Sequence, residues 1–247
     1  LSNATSNDAL TLVLDATSAS ASDLNTLNGK TSVNIDAATI TTITSSTADD
    51  VNTAVTNKTA IGLDNNFNVT LSDTTLSAAE VKTINAGTSG TIDMSSATTI
   101  SSSSAADVLE IVQNTGAAFT TAANYAVTLS GTTSAANANT IMNDTTGIVT
   151  ATVTATGAVA DLNTALSNAT SNDALTLVLD ATSVAAADLN TLDGKTSVAI
   201  NANSIATMTG TAADVKTALD SSGITEDGGI EVTVTGTAAA TDLTAIA

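Results

Sequence analysis

The chain has 247 residues, of which 43% are hydrophobic, 12% charged and only 1% aromatic, and its formal net charge is −19. Its five basic residues are all Lys, and Arg, His, Cys, Pro and Trp are absent. These figures argue against nucleic acid, which needs clustered Lys or Arg, and against anionic membrane surfaces. No apolar run approaches the roughly 18 residues of a membrane-spanning helix, so no membrane insertion is expected.

In chain order, the sequence reads as nine strand–helix units. They lie near residues 9–31, 32–62, 63–90, 91–117, 118–147, 148–173, 174–196, 197–226 and 227–247, and form a single array over 1–247. Each opens on a strand-like run: LTLVLD, SVNIDA, FNVTLSD, TIDMSS, YAVTLSG, IVTATVT, LTLVLD again, SVAINA and IEVTV. Most alternate apolar and polar residues with β-branched enrichment.

A helical phrase follows each run, with central apolar residues Leu24, Val51, Val81, Val108, Ala138, Leu162, Leu189, Val215 and Leu243. Their spacings are 27, 30, 27, 30, 24, 27, 26 and 28 residues. A period in this range marks a solenoid or array. Four phrases start with a capping box: Thr47-x-x-Asp50, Ser77-x-x-Glu80, Ser104-x-x-Asp107 and Thr211-x-x-Asp214. Gly29, Gly87, Gly116, Gly147, Gly194 and Gly223 follow the helices, where a left-handed C-cap is expected. Ile40, Ile43, Ile100, Ile205 and Met208 predict a second short extended face in the second, fourth and eighth units. Alternating strands and helices imply parallel strands joined by right-handed crossovers, hence an α/β solenoid of about nine repeats.

A longer echo overlies this period. Residues 1–33 and 166–198 differ at four positions: Ala19 and Val184, Ser20 and Ala185, Ser22 and Ala187, Asn28 and Asp193. A stack accepts copied blocks because each repeat touches only its neighbours. The chain lacks an initiator Met and begins inside this phrase, so it reads as a segment of a longer or processed protein. Strands left unpaired at the ends of a stack invite another chain. Self-association end to end, or continuation in a longer chain, is the expected partnership.

Chemistry is sparse. Eight acids sit at helix starts, Asp23, Asp50, Glu80, Asp107, Asp161, Asp188, Asp214 and Asp242, where capping and the helix dipole account for them. Asp15, Asp36, Asp73 and Asp180 end strands; turn formation explains them, and a cation bridging neighbouring repeats is the sharper reading. They are the only metal candidates. Asp64-x-Asn66-x-Asn68 has Val69 and Thr75 where a calcium loop needs Gly and an acid. Residues 28–32 and 193–197 (NGKTS, DGKTS) have Leu24 and Leu189 where a phosphate loop needs Gly, and Lys30 and Lys195 read as surface lysines. Without His or Cys, the usual bases and thiol nucleophiles are missing, and no enzyme activity is expected. Thr11, Thr70, Thr128, Thr152, Thr176 and Thr233 form a candidate ladder for ordering water, broken by Asn34, Asp93 and Ala199; β-propensity at exposed sites also explains it.

The phrases VTLSGTTSAANANTI, LTLVLDATSVAAADLNTL and SVAINANSIATMTGTAADVKTAL resemble repeat regions of giant secreted bacterial cell-surface and adhesin proteins, including cyanobacterial ones, in their Ala/Thr/Asp/Val bias. The resemblance implies secretion, an extended structural role outside the cell, and calcium as the one cofactor to consider. The expected function is a structural or adhesive module, a stalk, spacer or filament subunit, with a calcium- or ice-binding solenoid as the alternative.

Overall fold

The computed structural model describes residues 1–114 and 118–246. The protein is α/β, with parallel sheets and short helices, and it divides into two compact units, Leu1–Ala126 and Val127–Ala247.

The first unit contains β1 (Ser18–Ala19), α1 (Ala21–Asn28), β2 (Thr42–Ser46), α2 (Ala48–Thr56), α3 (Lys58–Ile61) and β3 (Asn68–Leu71). It continues through β4 (Thr75–Leu76), α4 (Ala78–Gly87), β5 (Ile92–Met94), β6 (Thr99–Ser103), α5 (Ala105–Val112) and β7 (Phe119–Thr121). One parallel sheet runs β1-β2-β3-β5-β7, and β4 pairs with β6. The register advances by about one period at each step, as in Ser18 with Thr42, Ile43 with Val69, and Ile92 with Phe119.

The second unit contains β8 (Ala126–Ser134, starting one residue before the division), α6 (Ala135–Asp144), β9 (Val149–Ala155), α7 (Val159–Ala165), β10 (Ala174–Leu179) and β11 (Ser183–Ala185). Then follow α8 (Ala186–Asp193), β12 (Ile200–Asn201), β13 (Thr207–Gly210), α9 (Ala212–Asp220), β14 (Ile224–Thr225), β15 (Glu231–Val234) and α10 (Ala240–Ile246). Its parallel sheets run β8-β9-β10-β12-β14 and β11-β13-β15.

The helical phrases fold as expected. All the central apolar residues are buried except Leu243, which is 45% exposed. The predicted boxes cap α2, α4, α5 and α9, and the Ser77–Glu80 pair is fully reciprocal. Elsewhere the hydroxyl accepts the N3 amide and donates to the same residue's carboxylate, as Thr47 does with Asp50. The core is a layer of Ala, Val, Ile and Leu, in which Phe67 and Tyr125 are the largest fully buried side chains.

Three expectations need correction. The helices do not end in left-handed glycines at the predicted positions: Gly29 and Gly194 have φ of −73° and −66°. None of Gly87, Gly147 and Gly223 has positive φ, and Gly116 lies outside the described residues. The Gly29 amide donates to the Asn25 carbonyl and the Lys30 amide to the Leu27 carbonyl in a right-handed turn, so the last carbonyls are satisfied without a sign change in φ. The left-handed cap occurs instead at Gly62, φ +72°, after the unanticipated α3. The second extended runs, β2, β6 and β13 and with them β1, β4 and β11, do not make a face of their own: β1 and β2 continue in one sheet with β3, β5 and β7, and β11 and β13 continue in one sheet with β15. Finally, the runs at 10–15 and 32–37 meet only in a single bridge, Val13 with Asp36. Ile35 donates instead to the Ala60 carbonyl in α3.

Neighbouring repeats are tied by polar side chains whose partners lie about one period away. The N–H groups opening α1 and α4, on Ala21 and Ala78, donate to the buried Ser46 and Ser103 hydroxyls at 2.8 and 2.7 Å. Ser45 and Ser102, just before them, have φ of 42° and 45° and turn those hydroxyls inward. On the helices, the Asn25, Asn163 and Asn190 amides donate to the Asp50, Asp188 and Asp214 carbonyls of the next helix. Buried Thr196 accepts from Leu175 N–H and donates to the Leu175 carbonyl, both at 2.9 Å. These bonds satisfy groups that would otherwise be costly to bury.

Candidate functional site

The four strand-end carboxylates do different jobs. Asp73 Oδ2 accepts the Ala48 N–H at 2.8 Å, at the start of α2. Asp180 Oδ1 accepts the Gly157 N–H at 2.8 Å, in the turn between β9 and α7. Asp36 closes its own turn by accepting Ala38 N–H at 3.3 Å, and Asp15 is exposed. Among the described residues no group of three or more His, Cys, Asp or Glu is placed to hold a metal ion. Two of the four candidates therefore act as acceptors for a backbone amide one period away. The Lys195 ammonium donates to the Leu166 carbonyl at the end of α7, and Thr31 and Thr196 are the buried residues of the NGKTS and DGKTS phrases. Among the described residues no helix is long and apolar enough to cross a membrane.

The threonines of β8, β9 and β10 form one exposed face. Thr150, Thr152 and Thr154 point outward along β9, while Val149, Ala151 and Val153 are buried between them. A bulge in β8 shifts the pairing, so that Thr128 opposes Thr150 and Thr132, rather than Thr128, opposes Thr152. Thr152 then opposes Thr176. The result is a patch of Thr rows, closer in character to the alternation of a half-buried strand than to a ladder along the whole chain. Thr70 opposes Asp93, where the row is broken as the sequence indicates.

Two strand-like edges are the remaining distinctive surface. Residues 9–14 pair on one side only, through Val13 and Asp36, and Leu10, Leu12 and Leu14 are half-buried. In the second unit β15 lies at the edge of its sheet, with Val232 and Val234 half-buried. Sequence reasoning overlooked Asp8 and Asp173. Asp173 is buried and accepts from Thr170 N–H through Oδ2 and from Val149 N–H through Oδ1. Asp8 makes the corresponding bond to Thr5 but is exposed. Their shared place in the repeated NATSNDALTL phrase was the available signal.

The chain matches no protein-family model, no curated protein and no solved structure.

Proposed function

We propose that the protein is a structural or adhesive module of an extracellular surface, a nine-repeat solenoid that serves as a stalk, spacer or filament subunit by end-to-end stacking. The observation that carries this reading is the set of bonds between neighbouring repeats: Ser46, Ser103, Thr196 and the helix asparagines all bind the backbone of the adjoining repeat. Backbone groups are present in every repeat, so the same contacts extend to any number of copies. The reading is non-enzymatic, and it places the protein with the secreted surface proteins whose phrasing it resembles. Electron microscopy of the concentrated protein tests it. Elongated assemblies with the period of one chain are expected, and isolated particles at every concentration would overturn it.

The exposed threonines of β8, β9 and β10 favour a second reading, a water-ordering face that binds ice. Thermal hysteresis above the colligative freezing depression is its expected signature, lost in Thr152→Leu/Thr176→Leu; an absence of hysteresis in the native protein removes this reading. For calcium, the melting temperature with and without chelator is decisive: a drop on chelation supports a bound ion, and coincident transitions exclude one that stabilises the fold.

A further inference from the structure

We infer that a second copy of this chain docks head to tail, its residues 8–15 lying as a parallel strand along the edge of β15 in the register that β10 keeps on β9. This rests on the end-to-end reading and adds to it the two faces, the alignment and the hydrogen bonds.

The molecule contains its own template for the junction. Residues 9–14 repeat β10 residue for residue. The edge they share is also used identically, since Val13 bridges Asp36 as Val178 pairs with Asn201. The other edge of β10 is filled by β9, in six consecutive pairs from Ala174 with Thr150 to Leu179 with Ala155. Residues 9–14 are thus half of a known pairing.

The counterpart of β9 is β15. Thr233, Val234, Thr235, Thr237, Ala239, Asp242 and Leu243 repeat Thr152, Val153, Thr154, Thr156, Ala158, Asp161 and Leu162 without a gap. Register makes the same match independently. Val153 pairs with Thr133, which immediately precedes the N-cap of α6, and Val234 pairs with Gly210, which immediately precedes the N-cap of α9. From Thr152 and Thr233 onward both strands therefore sit alike on the repeat before them, whereas the β8 bulge sets the first residues of β9 apart from those of β15. Only β9 has a strand on its far side; among the described residues β15 ends its sheet.

Burial shows what each face lacks. Leu162 is 6% exposed, whereas its counterpart Leu243 is 45% exposed. Leu175, Leu177, Ala151 and Val153 are buried, while Leu10, Leu12, Val232 and Val234 are only half-buried. The same apolar positions are covered wherever the internal junction exists and open wherever it does not. Covering them is the driving force, and the strand edge supplies the direction.

Superposing the template aligns Leu10 with Val232, Thr11 with Thr233, Leu12 with Val234 and Val13 with Thr235. It also explains two exposed carboxylates. Asp173 and Asp180 accept the Val149 and Gly157 N–H groups across the internal junction. In the docked pair, Asp8 and Asp15 accept from Ile230 and Ala238 of the other copy. Asp15 is thereby a docking residue rather than a metal ligand. Because the two faces differ, the contact is heterologous and leaves each docked copy with one open face for the next.

The chain has no cysteine, which makes the test direct. Separate T11C and T233C proteins are mixed under oxidising conditions, with T11C mixed with V232C as the one-residue mismatch. Sedimentation of the reduced proteins, in high salt to screen the net charge, runs in parallel. A T11C–T233C heterodimer formed well in excess of the mismatch, together with concentration-dependent association, is expected. D15A is expected to weaken association about tenfold, the usual scale for a lost charge-assisted bond, with an unchanged melting temperature. Association without the specific heterodimer overturns this docking mode and leaves the end-to-end reading standing. Sedimentation as a monomer throughout overturns that reading itself.

Discussion

Of the four positions that separate the two copies of the long passage, Ser20 and Ala185 differ most in their effect on a helix. Ser20 caps α1, its hydroxyl accepting the Asp23 N–H at 3.1 Å and donating to the Asp23 carboxylate. Ala185 holds the same extended backbone before α8 and offers no acceptor. Ala185→Ser is expected to raise stability, and Ser20→Ala to lower it, each by about 0.5–2 kcal/mol, measured by urea unfolding. The Asn28 and Asp193 difference is also used, since Asp193 accepts the Ser221 hydroxyl at 2.7 Å. The glycines are informative for close approach. A Cβ on Gly90 would lie 2.2 Å from the Phe67 carbonyl oxygen, which is backbone and cannot swing aside. Gly90→Ala is expected to destabilise by about 1–3 kcal/mol, the scale of overpacking, seen as a lower urea midpoint.

At the scale of elements, the joints between repeats differ in how far they exclude water. Thr196 and Thr31 make the same bonds, to Leu175 and Leu10, but the first site is buried and the second partly open. Thr196→Val strands a buried Leu175 amide and is expected to cost about 1–3 kcal/mol, against a smaller loss for Thr31→Val; paired denaturation curves give the comparison. The α4–α5 joint carries charge instead. The Lys82 ammonium, 2.8 Å from Asp107 Oδ1, holds that carboxyl below its ordinary value, helped by the Ser104 hydroxyl. Asp107 in turn, with Glu110 beyond it, holds Lys82 above its own. For Asp107 the folded value lies below the unfolded one, so its contribution is complete above the ordinary aspartate range. It disappears as the pH falls through the lowered value. For Lys82 the contribution is present below the ordinary lysine range and disappears as the pH rises through the raised value. Lys82→Met is expected to flatten the stability profile at both extremes, read as melting temperature against pH.

At the scale of the whole molecule, the net charge of −19 opposes both compaction and association. Added salt screens exposed charges beyond roughly one Debye length. Melting temperature and self-association are therefore expected to rise together between low and moderate ionic strength. A Kd that tightens with salt, by light scattering or sedimentation, is the expected outcome; salt-independent association would locate the interaction away from the acidic faces.

Much of this architecture was legible from periodicity. The helical phrases of α1, α2, α4, α5 and α9 are helical because an apolar stripe, a hydroxyl cap and a first-turn acid agree locally, and local agreement survives any neighbour. The parallel sheets followed from the alternation of runs and helices. The edges, the β8 bulge and the partner of each carboxylate were not legible, because each depends on a residue about one period away whose register no local pattern encodes. Residues 9–14 and 174–179 are the clearest case. The same six residues are a fully paired strand between β9 and β12 in one place and a single bridge beside Asp36 in the other. Sequence by itself determined which segments extend, which coil, and which faces are apolar. Tertiary structure alone decided which of those extended segments became strands, because a strand exists only where a neighbouring backbone takes up its hydrogen bonds.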